Sequence, residues 1–150
     1  RDALVAASRD WRAGGGPSGG RFAAEGTAPA FVDTGPRHCV AGTDGADYHP
    51  ALDVDRIDVH VRKGMGEPAY SAFEGETTSG ERLQDVLAKA GVAELDVVGI
   101  ATDYCVRASA LDALNAGLGV RVRSDLIAGV APESSVAALK EMAAAGITIV

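Results

Sequence analysis

LDVVGIATDYCVRASALDALNAGLGVRVRSDLIAGVAPESSVAALKEMAAAGITIV, residues 95–150, decides the fold. Its opening run, Leu95–Ala101, is short, apolar, rich in Val and Ile and bounded by polar residues, which reads as a buried strand. Thr102 or Asp103 can cap the next segment, Tyr104–Ala116, whose apolar residues recur at helical spacing until Gly117 stops it. Gly119–Arg123 is the following strand. Pro132 opens another helix where its missing N–H costs nothing, Gly146 closes it, and Ile147–Val150 is a last strand. Such alternation requires parallel strands joined by right-handed helical crossovers. The fold class is therefore α/β, with an open, mostly parallel sheet and helices on both faces.

Upstream, Arg82–Ala90 reads as a further helix, Ile57–Arg62 as a strand and Ala3–Ala7 as the first strand candidate. Residues 12–36 hold GGGPSGG and little periodicity, so they form a long glycine-rich surface loop, either an active-site flap or a disordered insert. An α/β unit whose first strand candidate starts almost at the first residue is expected to lack the strand before it, an amino-terminal truncation.

A chain of 150 residues fits one domain, 1–150, and 47% hydrophobic residues supply its core. The formal charge of −7 opposes nucleic acid and anionic membranes as partners, because both are attracted by clustered Lys and Arg. A small uncharged substrate is compatible with that charge, as is a homo-oligomer. No apolar run approaches the roughly 18 residues that span a bilayer, and no secretory pattern opens the chain, so a cytoplasmic location is expected. Cys39 and Cys105 are too few for a disulfide framework and lack zinc-ligand spacing.

Open α/β sheets bind ligands beyond the carboxyl ends of their strands. Cys105 occupies such a place, in the first turn of a helix, where unsatisfied N–H groups and the helix dipole favour a thiolate. A nucleophile fits that position, and so does a small packed hydrophobe, the common role of a core cysteine. Lys63 ends the strand Ile57–Arg62 and could pair with a catalytic carboxylate, steady an anion or simply be solvated. His38 and Asp10 carry ligand atoms for a metal, but each alone also suits a turn or a cap. Cys39 reads as packed, and His49 and His60 carry no further signal.

Three stretches, His38–Pro50 (HCVAGTDGADYHP), Lys63–Gly75 (KGMGEPAYSAFEG) and Gly99–Arg107 (GIATDYCVR), continued by SDLIAGV up to Val130, together resemble the nicotinamidases, the pyrazinamidase type within the isochorismatase-like cysteine hydrolase superfamily. The resemblance implies an amidohydrolase that converts nicotinamide to nicotinate and ammonia through a cysteine thioester, in pyridine nucleotide salvage and NAD biosynthesis. It assigns catalysis to Cys105 and Lys63. It also implies a non-proline cis peptide at Ile100–Ala101 beside the oxyanion donors, and places Tyr70, Phe73, Ala101 and Tyr104 near the substrate. A related cysteine amidase acting on another small carboxamide, or a catalytically silent paralogue or fragment, is the alternative.

Two departures qualify the resemblance. The family's triad Asp lies in an amino-terminal strand with a motif like DVQNDF, and nothing of that kind precedes Arg1, so the chain as given is expected to be nearly inactive. The family also holds a divalent metal, Zn or Fe, with an Asp and three His. Asp10 and His38 match two of these positions, while Arg12, and Arg21 at or near the other, replace histidine. Guanidinium is always protonated and cannot ligate, so the metal is expected to be weakened or lost. An arginine there could instead donate to an acceptor on the substrate.

Overall fold

Ala6–Asp10 (β1) and Val59–Lys63 (β2) pair in parallel, in a register that sets Ala6 opposite Val59 and Asp10 opposite Lys63. This computed structural model describes residues 3–14, 22–24, 26–29 and 35–150. The chain divides into two compact units, Arg1–Ala69 with Gly75–Gly80, and Tyr70–Glu74 with Glu81–Val150.

In the first unit β2 is the middle strand, with β1 on one side and the antiparallel Glu76–Thr77 (β3) on the other. Val61, in this middle strand, is fully buried. Gly75 precedes β3 because only hydrogen fits: a Cβ there would lie 2.6 Å from Val61 Cγ1 and 2.7 Å from the Arg62 carbonyl. The first strand lies further along the chain than the apolar run Ala3–Ala7 suggests. Its ladder with β2 draws in Ser8, Arg9 and Asp10, while Val5 is held by Asp58, its N–H donating to the carboxylate at 2.9 Å. Pairing with a partner strand, rather than local apolarity, sets these limits. Of the loop expected over 12–36, residues 15–21, 25 and 30–34, with Arg21 among them, lie outside the described residues. Within the rest, Arg12 bridges to Val40 and Phe22 to Gly35.

The second unit is a parallel sheet in the order β4-β5-β6, formed by Glu94–Ile100 (β4), Gly119–Ala128 (β5) and Thr148–Ile149 (β6). Its helices are Leu83–Lys89 (α1), Arg107–Asn115 (α2) and Pro132–Ala145 (α3). The molecule is thus α/β, rich in parallel strands, with six strands distributed over two three-stranded sheets among the described residues. Ala110 and Ala113 of α2, Ala138 and Met142 of α3, and Val120 and Val122 of β5 are all buried and make the core of this unit. The small alanines bring the helices close, and burying a side chain the size of Met142 contributes about 1.5–3 kcal/mol. Gly146, in the left-handed region at φ 105°, ends α3, and Pro132 opens it, both as the sequence implies.

Three local expectations are corrected. β5 does not stop at Arg123 but continues to Ala128, through a register shift between Val97 and Gly99 that lets Gly99 face Ile127. A bulge of this kind keeps polar Ser124 and Asp125 within the strand. β4 is not buried on both sides: Val98 is 52% and Ile100 76% exposed, because β4 is an edge strand of its sheet and alternate residues face away from the packed side. The helix expected from Tyr104 instead begins as a π-helical turn, Thr102–Val106, before regular α-helix starts at Arg107.

Candidate active site

β1 and β2 deliver Asp10 and Lys63 side by side at their carboxyl ends. Lys63 is only 4% exposed, so the solvated alternative for this residue falls, and its ammonium donates to Asp10 Oδ1. Asp10 Oδ2 accepts from Arg12 Nη2 at 2.8 Å and more loosely from Nε at 3.3 Å. Arg12 is likewise 4% exposed. Each carboxylate oxygen therefore accepts from a basic side chain. Burial pushes the Asp10 carboxyl up, but Lys63 and Arg12 outweigh it and hold the group below the usual carboxylate range.

Backbone bonds bring the histidine segment to this pair. Arg12 N donates to Cys39 O at 2.9 Å and Ala41 N to Arg12 O at 2.8 Å, so residues 38–41 run alongside Arg12. His38 Nδ1 then lies 3.8 Å from Asp10 Oδ2. Burial first, and Arg12 next, push the His38 imidazolium down, which keeps the ring neutral. One ligand atom from each of Asp10, His38 and Cys39 falls within 4.8 Å of the others, a group that could hold a metal ion. Cys39 was not legible as a member. It reaches the group by adopting φ 51°, a left-handed conformation that sequence does not announce in a non-glycine residue. The end of β1 is framed by Arg9, stacked 4.8 Å over Trp11 and 4.5 Å over Tyr48, with Arg62 4.2 Å over Trp11.

In the second unit Cys105 sits half-buried in the turn Thr102–Val106, directly beyond the carboxyl end of β4. The Ile100–Ala101 peptide is cis. Tyr104 N and Val106 N both donate to Ala101 O, at 3.1 and 3.0 Å, and Arg107 N donates to Thr102 O and Tyr104 O. Tyr104 approaches Tyr70 with ring centroids 5.4 Å apart. Tyr70 is fixed through its neighbours, since Glu74 accepts from the Tyr70 and Ser71 N–H groups at 2.9 and 2.7 Å, and Ser109 accepts from Ala72 N at 2.9 Å. Phe73 is buried. Asp103, with Thr102 one of two cap candidates in the sequence, does not cap its own helix. Its carboxylate accepts from Val130 N, Ala131 N and the Ser134 hydroxyl.

A family model described as the isochorismatase domain matches residues 21–150. The chain belongs to the isochorismatase family. Among isochorismatase-family relatives, it is 49% identical over 122 residues to the nicotinamidase/pyrazinamidase of Mycobacterium tuberculosis, covering 81% of this chain and 66% of that protein. It is 37% identical over 160 residues to the nicotinamidase of Escherichia coli, covering 99% of this chain and 75% of the relative. The solved structure of the Pyrococcus horikoshii pyrazinamidase in complex with zinc superposes with TM-score 0.79 at 39% identity, covering 99% of this chain and 75% of that one. That of PnC1 from L. infantum in complex with nicotinate gives 0.81 at 31%, covering 98% and 71%. The chain thus spans 66–75% of these four proteins, and about half to two thirds of other relatives it matches.

Proposed function

We propose that the protein is an amidohydrolase that converts nicotinamide to nicotinate and ammonia, with Cys105 as nucleophile and Lys63 as the second catalytic residue. The observation that carries this reading is the place of Cys105, half-buried in the turn beyond β4 and inside the family-matched region. Relatives 49% and 37% identical to the chain are nicotinamidases, which supports the substrate. In this reaction the thiolate attacks the carboxamide carbon, and backbone N–H groups near Ala101 and Cys105 stabilise the oxyanion. The C–N bond breaks as the amide nitrogen takes the proton given up by the thiol and leaves as ammonia. Water then attacks the thioester, releasing nicotinate and restoring the thiol. Tyr70 and Tyr104 offer aromatic surface to the pyridine ring. Lys63, buried and held by Asp10, supplies a fixed positive charge. Among the described residues no helix is long and apolar enough to cross a membrane. We place the reaction in the cytoplasm, in pyridine nucleotide salvage.

The residues present make a poor site for the family's metal. An ion held by Asp10, His38 and Cys39 would share the Asp10 carboxylate with the Arg12 guanidinium and the Lys63 side chain, and the positive charge of Arg12 would oppose it. Three ligands are one fewer than a closed four-coordinate centre takes. Desalted protein is expected to carry well under one equivalent of zinc or iron, and one retained equivalent would contradict this.

Initial rates of ammonia release from nicotinamide, pyrazinamide and non-aromatic carboxamides test the function. Measured on the product of the full coding sequence, pyridine and pyrazine carboxamides are expected to lead, and Cys105→Ala to lower turnover by roughly 10³-fold or more. Inert pyridine carboxamides beside an active competitor substrate would move the assignment to a related amidase.

A further inference from the structure

The carboxylate of Asp103 is committed to an element other than its own. It is 9% exposed and accepts from Val130 N at 3.0 Å, Ala131 N at 3.2 Å and Ser134 Oγ at 2.6 Å, all at the amino end of α3. These charge-assisted bonds join the turn Thr102–Val106 to residues 130–134. The joint is tight: a methyl group added at the adjoining Gly129 would collide with the Ser135 hydroxyl and stand 3.5 Å from Asp103 Oδ1.

In the turn, Tyr104 N and Val106 N share the carbonyl of Ala101, and no side-chain cap bond is made at Ala101 or Val106. Asp103 therefore gives the turn a side-chain attachment outside its own backbone. Single π-helical turns of this kind recur at functional sites. Cys105 lies on this turn, two positions beyond Asp103. Thiolate formation and access at such a site depend on how the turn's N–H groups are aimed at the sulfur.

We propose that Asp103 is a positioning residue for Cys105: its carboxylate fastens the nucleophile's turn to the amino end of α3 and so fixes the orientation of the sulfur. The inference rests on the reading of Cys105 as the nucleophile. The competing role is purely structural, a clamp that keeps α3 from fraying. The two separate because α3 can be secured independently. Its N-cap residue, Ala131, is exposed, extended in backbone and makes no side-chain cap, so Ala131→Ser supplies a local cap without rejoining the Cys105 turn.

The test compares the unmodified protein, Asp103→Ala and the double substitution Asp103→Ala/Ala131→Ser, at a temperature where circular dichroism finds all three folded. Alkylation of Cys105 by iodoacetamide is followed by peptide mass spectrometry, which separates it from Cys39, and kcat and KM for nicotinamide are measured alongside. The double substitution is expected to recover the thermal midpoint yet remain slow in Cys105 alkylation, with kcat lowered by about 10²-fold and KM little changed. Asp103→Glu, which keeps the charge but misplaces it, is expected to be similarly slow. A double substitution with unmodified alkylation and kcat would overturn the positioning role while leaving the nucleophile intact. A Cys105 that is unreactive in the unmodified protein, with turnover surviving Cys105→Ala, would sink the nucleophile reading and this proposal with it.

Discussion

Asp10 is held by a cation on each oxygen, and Arg12 is the one that a single substitution can turn into a ligand. Arg12→His removes a permanent positive charge and completes an Asp-x-His pattern facing His38. It is expected to raise zinc affinity at least about tenfold, the scale on which metal-site neighbours act, and chelator competition would measure it. Unchanged affinity would show that Arg12 is not what opposes the ion. Asp103 makes a second residue-scale expectation. Burial pushes its carboxyl up, but the bonds from Ser134, Val130 and Ala131 prevail and bring it below the ordinary value. A depressed folded-state value means that the ionised group stabilises the fold above the unfolded-state value, near pH 4, and that this contribution is lost as pH falls below it. Acid titrations followed by circular dichroism should therefore find Asp103→Asn less stable than the unmodified protein near neutrality, with the gap narrowing below about pH 4. A gap independent of pH would contradict the assignment. Cys105 and Lys63 were legible as candidates because strand ends expose such residues wherever the strand packs. Asp103 was legible only as polar and near a helix start, which suggested a local cap. Its partners lie on a different helix, and nothing in a linear pattern gives that distance.

At the scale of elements, α3 carries much of the second unit's core. Met142 is fully buried on α3, a helix packed against α2 and β6, so Met142→Ala should cost about 2–5 kcal/mol, read from urea unfolding. Gly146→Ala forces a side chain into the left-handed region at φ 105° and should cost about 1 kcal/mol. A Met142→Ala cost below that of Gly146→Ala would mean the helix is secured by its ends rather than by its buried face. Helices were legible here because Pro132, Gly117 and Gly146 are local stop and start signals that tertiary contacts need not override. Strands were less so. β1 takes Ser8, Arg9 and Asp10 from its pairing with β2, and β5 runs on through a register shift against β4. Both follow from partners distant in sequence.

For the whole molecule, strand–helix alternation over residues 95–150 gave the α/β class, and the isochorismatase-family match bears it out. The distribution of strands over two sheets was not legible, because which strand neighbours which is a property of non-local pairing. Exposed ion pairs such as Arg107–Glu141 and Arg121–Asp96 sum to zero charge and contribute little to stability, so the net charge of −7 comes from the remaining acidic groups. What the charge does favour is a neutral substrate over a polyanion, which the proposed carboxamide satisfies. The chemistry then turns on one covalent bond. Protein mixed with nicotinamide, quenched in acid during turnover and mapped by peptide mass spectrometry should carry one nicotinoyl group on Cys105 and none on Cys39. Turnover with no adduct at Cys105, and undiminished in Cys105→Ala, would contradict the account.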